Sequence, residues 1–191
     1  MKKAKIIIVI LFLVSVAYSY YKIPQWLIEG TAISNTLAGI ILIIDGILLH
    51  KNKNVPIIAY QITVSFIMTV YLITTFLTAF NLYNNFSFDD GFMLLHAVNP
   101  LVFFTIYLFT TKLKTNNNIL CTSCIAPSLI MCYLLFDFIR HQIIGSYVYQ
   151  IIPNDSNIML VILFALGTYI FEVLLNFGII KLKIYTESKI K

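Results

Sequence analysis

The chain has 191 residues, of which 60% are hydrophobic and 11% are charged, and its net charge is +5. Because a soluble domain has roughly a quarter of its residues charged, this composition predicts an integral membrane protein and excludes a separate soluble domain. The basic residues form no stripe interleaved with aromatic side chains, so nucleic acid is not an expected partner. We expect a single all-α transmembrane domain over residues 1–191.

Six apolar segments, each near the roughly 20 residues that a bilayer core demands, predict six transmembrane helices. Strands are excluded because a membrane offers no partner to free backbone groups and the segments lack the alternation of a barrel. The first segment, 6–20, also suits a cleaved signal peptide, but five further spans make an export signal unnecessary. The other segments are 31–49 (or from Trp26), 57–80, 91–111, 119–139 with Pro127 inside it, and 158–182.

The three cysteines lie in the fifth segment, where Cys121 and Cys124 have C-x-x-C spacing. A zinc site needs further ligands and a redox site needs its own fold context, and neither accompanies this pair. We interpret these two residues and Cys132 as small residues of a membrane helix. No disulfide, metal or cofactor is expected.

The distribution of the basic residues predicts that both termini are cytoplasmic. Lys22 and Arg140 are the two basic residues on the other side, which places loops 81–90 and 141–157 outside. The remaining eleven of the 13 are Lys2, Lys3, Lys5, Lys51, Lys53, Lys112, Lys114, Lys181, Lys183, Lys189 and Lys191.

The fourth span carries His96, Asn99 and Pro100 in its first turns. An ionisable ring at membrane depth is costly in lipid and normally faces protein or a water-filled cavity, so His96 is a functional candidate. Pro100 has no N–H for the carbonyl four residues earlier, so we expect the His96 carbonyl to lose its helical partner and the helix to kink. The alternative is a structural histidine that donates one hydrogen bond between helices.

Under the predicted topology, three helices bring a hydroxyl, an imidazole and a carboxylate to similar depth near the outer face. The polar residues at this level are Thr31, Ser34 and Asn35 on one face of the second span, His96, and Asp137, Arg140 and His141 at the end of the fifth. A hydroxyl becomes a nucleophile when a neutral histidine takes its proton and a third group orients that histidine. The alternative is plain packing, because such side chains also hydrogen-bond across membrane helices and Asp137 can pair with Arg140.

A second polar set lies deeper. Asp45 is 14 residues after Thr31 and so points the same way, and Glu172 with Asn176 lies in the sixth span. We expect Asp45 and Glu172 to share a depth, where two close carboxyls do not both ionise. A proton or cation path is one interpretation, and an interhelical hydrogen bond from a protonated acid is the one we favour.

Three patches carry a resemblance to a known family. Thr31-Ala-Ile-Ser34-Asn35 has the form Thr-x-x-Ser-Asn, His96-Ala-Val-Asn99-Pro100 has the form His-x-x-x-Pro, and His141 to Tyr149 has the form His-x-x-x-Gly-x-x-x-Tyr, followed by Glu172-Val-Leu-Leu-Asn176. In their order and spacing these patches resemble bacterial members of the androgen-induced protein and androgen-dependent TFPI-regulating protein family of transmembrane hydrolases. The chain departs from the family at the end of the third patch. The family usually has Tyr-Pro after the glycine of this motif, whereas in this chain Gln150 follows Tyr149.

The resemblance implies a six-helix enzyme of a bacterial plasma membrane that acts on a membrane lipid. Animal members of the family use a threonine nucleophile and a histidine to hydrolyse fatty acid esters of hydroxy fatty acids, and these roles fall on Thr31 and His96. The amides of Asn35 or Asn99 are then the expected oxyanion donors. Two other functions compete: a small proton-coupled transporter that uses Asp45 and Glu172, and a non-catalytic membrane scaffold.

Overall fold

A computed structural model describes residues 2–51, 53, 55–80, 92–110, 118–148 and 152–190, and over these residues the protein is helical without strands. This confirms the all-α prediction. A 3-10 turn, Pro24–Ile28, joins the first two helices, and a π-helical turn, Leu94–Val98, runs directly into the fourth. The helices are α1 (Lys2–Tyr20), α2 (Gly30–His50), α3 (Ile57–Ala79), α4 (Asn99–Thr110), α5 (Ile119–Ile125), α6 (Ser128–Ile144) and α7 (Ile158–Ile190).

Among the described residues, four helical segments are long and apolar enough to cross a membrane: Gly30–His50, Ile57–Ala79, Ile119–Ile144 and Ile158–Lys189. Two shorter apolar helices, Ile7–Tyr20 and Leu94–Phe109, correspond to the first and fourth predicted spans. The predicted ends of the fourth span at 91 and 111, loop 81–90, and Lys112, Lys114, Tyr149, Gln150 and Lys191 lie outside the described residues.

Pro127 divides the fifth span into two helices. Its ring excludes an α-helical hydrogen bond to the carbonyl four residues earlier, so α5 ends at Ile125 and α6 begins at Ser128. The predicted end at residue 139 is too early, because α6 continues to Ile144 and stops at Gly145. That glycine has φ of 82°, the left-handed conformation that commonly terminates a helix.

The main apolar core lies between α1, α2, α3 and α4 and is rich in large side chains such as Phe12, Leu42, Tyr60 and Phe103. In contrast, α7 presents apolar side chains outward along much of its length, and Leu174 is 67% exposed. Contiguous exposed apolar surface of this kind marks a membrane or protein interface, and it agrees with the apolar composition. The three cysteines are free and exposed on α5 and α6.

Candidate functional site

Thr31 and His96 meet although 65 residues separate them in the chain. The Thr31 hydroxyl lies 3.1 Å from His96 Nε2, and both side chains are buried, with exposed fractions of 1% and 4%. Thr31 is in the first turn of α2, and His96 is in the π-helical turn that precedes α4. In the tautomer protonated at Nδ1, the imidazole Nε2 accepts the threonine proton. The two residues therefore have the contact that a nucleophile and its base require.

The π-helical turn explains how His96 reaches α2. The backbone N–H of Asn99 donates to the Leu94 carbonyl, five residues earlier, and the next such bond would need an N–H from Pro100. The Leu95 carbonyl instead accepts from Asn35 Nδ2 at 3.1 Å. The π spacing therefore extends the effect of Pro100 to the Leu95 carbonyl, and the loss of a helical partner at the His96 carbonyl stays a prediction. Single π turns are rare and occur frequently at functional sites.

Asn35 and Asn99 hold the helices around this pair. Asn35 Nδ2 also donates to the Thr31 carbonyl at 2.8 Å, and Asn99 Nδ2 donates to Asn35 Oδ1 and to Ser15 Oγ, each at 2.8 Å. These bonds join α1, α2 and the start of α4. Both N–H groups of each amide are already donated within the protein, so this geometry disfavours the expected oxyanion role for Asn35 and Asn99. The Ser34 hydroxyl donates to the Thr31 carbonyl at 3.2 Å and so also belongs to this framework.

Aromatic rings fix the imidazole from its other side. The ring of Phe92 stacks on His96, with centroids 5.6 Å apart, and the ring of Tyr20 packs edge-on against Phe92 at 5.4 Å. The Tyr20 hydroxyl in turn donates to Glu29 Oε2 at 2.6 Å, and Glu29 is the residue directly before α2. This chain of contacts connects the ends of α1 and the π turn to the start of α2, which fixes the position of His96 relative to Thr31.

A cavity of about 330 Å³ opens beside Thr31 between α2, α3, α6 and α7. Small-molecule pockets usually measure about 300–1,000 Å³ and have mostly apolar walls with a few polar groups. The wall here is mostly apolar, with side chains such as Phe66, Ile130, Leu134 and Phe164, and its polar members include Thr31. The cavity can therefore hold an apolar chain with a polar group close to the Thr31 hydroxyl.

Asp137 and His141 bind the segment that follows α6. Asp137 Oδ1 accepts from the backbone N–H of Val148 at 2.8 Å, and His141 Nε2 lies 3.0 Å from the Asn154 carbonyl. The His141 ring also stacks on Tyr147, with centroids 4.1 Å apart. Tyr147 is part of the cavity wall, and so is Asp137. The two predicted supporting residues thus shape one end of the cavity, and their contacts are with this segment.

Arg140 also binds this segment and does not form the ion pair with Asp137 that its spacing suggests. Its Nη1 donates to the Ser146 carbonyl at 2.6 Å. The carbonyl belongs to the turn directly after Gly145, so the guanidinium stabilises the sharp change of direction at the end of α6. Three side chains from the last two turns of α6 therefore anchor the same stretch of backbone.

The deeper polar residues form a buried hydrogen-bond network between α3, α4 and α7. Glu172 Oε2 accepts from Ser65 Oγ and, at 3.3 Å, from Asn176 Nδ2. Gln61 Nε2 donates to Asn176 Oδ1 at 2.7 Å, and Tyr107 donates to Gln61 Oε1. All five side chains are fully buried. The network joins three helices, as interhelical polar contacts in membranes do.

Asp45 is not a member of the hydrogen-bond network around Glu172. Its side chain lies near Tyr60 on α3, while Glu172 binds Ser65 and Asn176. Tyr60 directly precedes Gln61 on α3, and Gln61 binds Asn176, so the two acids lie at neighbouring levels. The bonds that join α3 to α7 are made by Glu172, and Asp45 packs on the α2 side of α3.

Sequence reasoning missed the α3 members of the network. The signal was present in the spacing, because Gln61, Ser65 and Thr69 recur every four residues on α3. Thr168, Glu172 and Asn176 recur every four residues on α7. Residues four apart share a helix face, so two such polar stripes predict that the helices pack along them.

Comparison with protein-family models, curated proteins and solved structures finds no match. The resemblance carried by Thr31, His96 and the flanking motifs therefore stays a prediction. Among the described residues, no group of three or more His, Cys, Asp or Glu side chains is arranged to hold a metal ion. The features of the described residues that bear on function are the Thr31–His96 contact and the cavity beside it.

Proposed function

We propose that the protein is a membrane-embedded hydrolase of lipid esters, with Thr31 as the nucleophile and His96 as the general base. The observation that carries the proposal is the 3.1 Å contact between His96 Nε2 and the hydroxyl of Thr31, a residue in the wall of an apolar cavity. A hydroxyl paired with an imidazole suits acyl transfer, and an apolar cavity suits an acyl chain. The resemblance of the Thr31 and His96 motifs to the transmembrane hydrolases agrees with this assignment.

The reaction has two steps. Thr31 Oγ1 attacks the ester carbonyl while His96 Nε2 takes the hydroxyl proton, and His96 then returns that proton to the leaving alcohol, which gives an acyl-threonine. In the second step His96 takes a proton from water, the hydroxide attacks the acyl-threonine, and the fatty acid leaves as Thr31 is reprotonated. Burial strengthens each electrostatic contact because little water competes inside the site.

We also propose that all six apolar segments cross a bacterial plasma membrane, with both termini in the cytoplasm. The support is the placement of eleven of the 13 basic residues on one side. Thr31, His96 and the cavity then open toward the outer leaflet, and the substrate enters from there.

The orientation predicts opposite labelling of two loop positions. In a background in which Cys121, Cys124 and Cys132 are replaced by alanine, Asp155→Cys should react in whole cells with a membrane-impermeant thiol reagent. Lys53→Cys should react only after the cells are opened, because its loop is cytoplasmic. Both positions are exposed, so accessibility in the folded protein is matched. The reverse pattern would place the site in the inner leaflet.

The test of function is activity-based labelling of the purified protein. A fluorophosphonate probe should modify the wild-type protein at Thr31, identified by peptide mass, and should leave Thr31→Ala unlabelled. Hydrolysis of long-chain esters in detergent should disappear in the same variant. A folded wild-type protein that neither reacts with the probe nor cleaves any long-chain ester would contradict the proposal.

Two substitutions of Glu172, in the buried hydrogen-bond network between α3, α4 and α7, distinguish a hydrolase from a transporter. Glu172→Gln should keep both ester hydrolysis and thermal stability, because the amide has the same shape and still accepts from Ser65 and Asn176. Glu172→Leu should lower stability by roughly 1–3 kcal/mol, because it leaves the buried Ser65 hydroxyl without its acceptor. Proton flux into liposomes that is lost in Glu172→Gln would instead favour a transporter.

A further inference from the structure

Thr69 carries a buried hydroxyl that has no hydrogen-bond partner among the described residues. Its side chain is 0% exposed, and its Oγ1 makes no hydrogen bond to any described residue. A buried hydroxyl without a partner costs free energy, so such a group in a native protein calls for an explanation. Thr69 lies in the wall of the same cavity as Thr31. A molecule in that cavity can therefore supply the missing acceptor.

Two other threonines of the same helix bond to their own backbone, unlike Thr69. Thr63 donates to the Ala59 carbonyl at 2.9 Å, and Thr78 donates to the Thr74 carbonyl at 2.8 Å. This bond to the carbonyl four residues earlier is the usual one for a threonine within a helix. The equivalent acceptor for Thr69 is the carbonyl of Ser65, and Thr69 does not use it. Its hydroxyl therefore makes no bond to its own helix.

The face of α3 that carries Thr69 is the face that packs against the start of α2. The ring of Phe66 comes within 3.5 Å of the position that a Cβ atom on Gly30 would occupy. Thr69 follows Phe66 by three residues and so shares that face, and Thr31 directly follows Gly30. Both threonines line this cavity, whereas the amides of Asn35 and Asn99 are engaged elsewhere.

We propose that the Thr69 hydroxyl donates a hydrogen bond to the carbonyl oxygen of a long-chain acyl ester bound in the cavity. This inference rests on the proposed hydrolase function and deepens it, because the bond holds the carbonyl carbon before the Thr31 hydroxyl. As Thr31 attacks, negative charge develops on that oxygen, and a donor placed beforehand stabilises it. Thr69 then performs the role that the sequence predicted for Asn35 or Asn99.

The test separates binding from turnover. In the Thr31→Ala background, which lacks the nucleophile, affinity for methyl palmitate is measured by displacement of a fluorescent fatty acid. Adding Thr69→Val should weaken binding roughly tenfold, because it removes one hydrogen bond and keeps the shape of the side chain. Thr63→Val is the matched control, since Thr63 is also a buried threonine of α3 but bonds to its own helix, and it should leave affinity unchanged.

Turnover gives the second measurement. With Thr31 intact, Thr69→Val should lower kcat by roughly 100-fold or more, as removal of one oxyanion donor does, and Thr69→Ser should recover most of it. The melting temperature of Thr69→Val should not fall below that of Thr63→Val, because no hydrogen bond within the protein is lost.

The inference on Thr69 fails if Thr69→Val binds methyl palmitate as tightly as Thr63→Val, or if the ester does not bind at all. The hydrolase proposal fails on a different result, namely turnover that persists in Thr31→Ala. Weakened binding in Thr69→Val together with that persistence would support the carbonyl contact and reject the proposed nucleophile.

Discussion

Replacement of Thr31 or His96 by alanine should each abolish ester hydrolysis. Thr31→Ala removes the attacking oxygen, and His96→Ala removes the group that takes its proton 3.1 Å away. Because the two residues act as one unit, the double variant should be no slower than either single variant. The measurement is kcat/KM for a long-chain ester in detergent, with thermal unfolding recorded for each protein. Thr31→Ser should retain measurable activity because a hydroxyl remains.

Protonation of the imidazole gives an independent check on the same pair. A protonated histidine cannot accept the threonine proton, so kcat should fall as the pH is lowered through the range in which His96 becomes charged. The fluorophosphonate reaction of the free enzyme should fall over the same range, because it needs the same base. Full turnover by a folded Thr31→Ala protein would reject the mechanism, and additive losses in the double variant would show that the two residues act separately.

The Thr31–His96 pair is predictable from the sequence because the polar residues of the apolar spans are few and the predicted topology gives each of them a depth. An apolar span admits a hydroxyl or an imidazole only where protein covers it, so two such residues at one depth tend to face each other. Their distance, however, depends on a π-helical turn that no local pattern specifies. Pro100 is compatible with a kinked α-helix as well as with a π turn, and the interhelical bond from Asn35 to the Leu95 carbonyl stabilises the latter.

The contacts of Asp137 and His141 could not be predicted from their depth in the span alone. Helical spacing places both residues near the C-terminal end of the fifth span, at the predicted level of His96, but it does not say which neighbour each will meet. Their hydrogen-bond partners, Val148 and Asn154, lie in a non-helical segment without any periodicity. The cavity is equally absent from the sequence, because it arises where four helices fail to close against one another.

Asn35→Leu should cost both stability and activity, because the Asn35 amide joins α2 to the π turn and to Asn99 at the start of α4. The substitution leaves the Leu95 carbonyl and an Asn99 N–H without partners, which should lower the free energy of unfolding by roughly 2–3 kcal/mol. Without the bond to Leu95, the π turn can relax and move His96 away from Thr31. A displacement of about 1 Å from the reactive geometry can lower the rate by roughly 100-fold.

Gln61→Leu is the control that separates the loss of stability from the loss of activity. Gln61 is an equally buried amide, and its loss breaks bonds to Asn176 and Tyr107 in the buried network between α3, α4 and α7, away from the Thr31–His96 pair. It should cost a similar free energy of unfolding, yet the protein that remains folded should react with the fluorophosphonate probe at the wild-type rate. Asn35→Leu protein that remains folded should react much more slowly, and Asn35→Asp should resemble it, because a carboxylate oxygen cannot donate to the Leu95 carbonyl. If folded Asn35→Leu reacts as fast as Gln61→Leu, the π turn holds His96 in place without Asn35, and the geometry of the site is set within the fourth span alone.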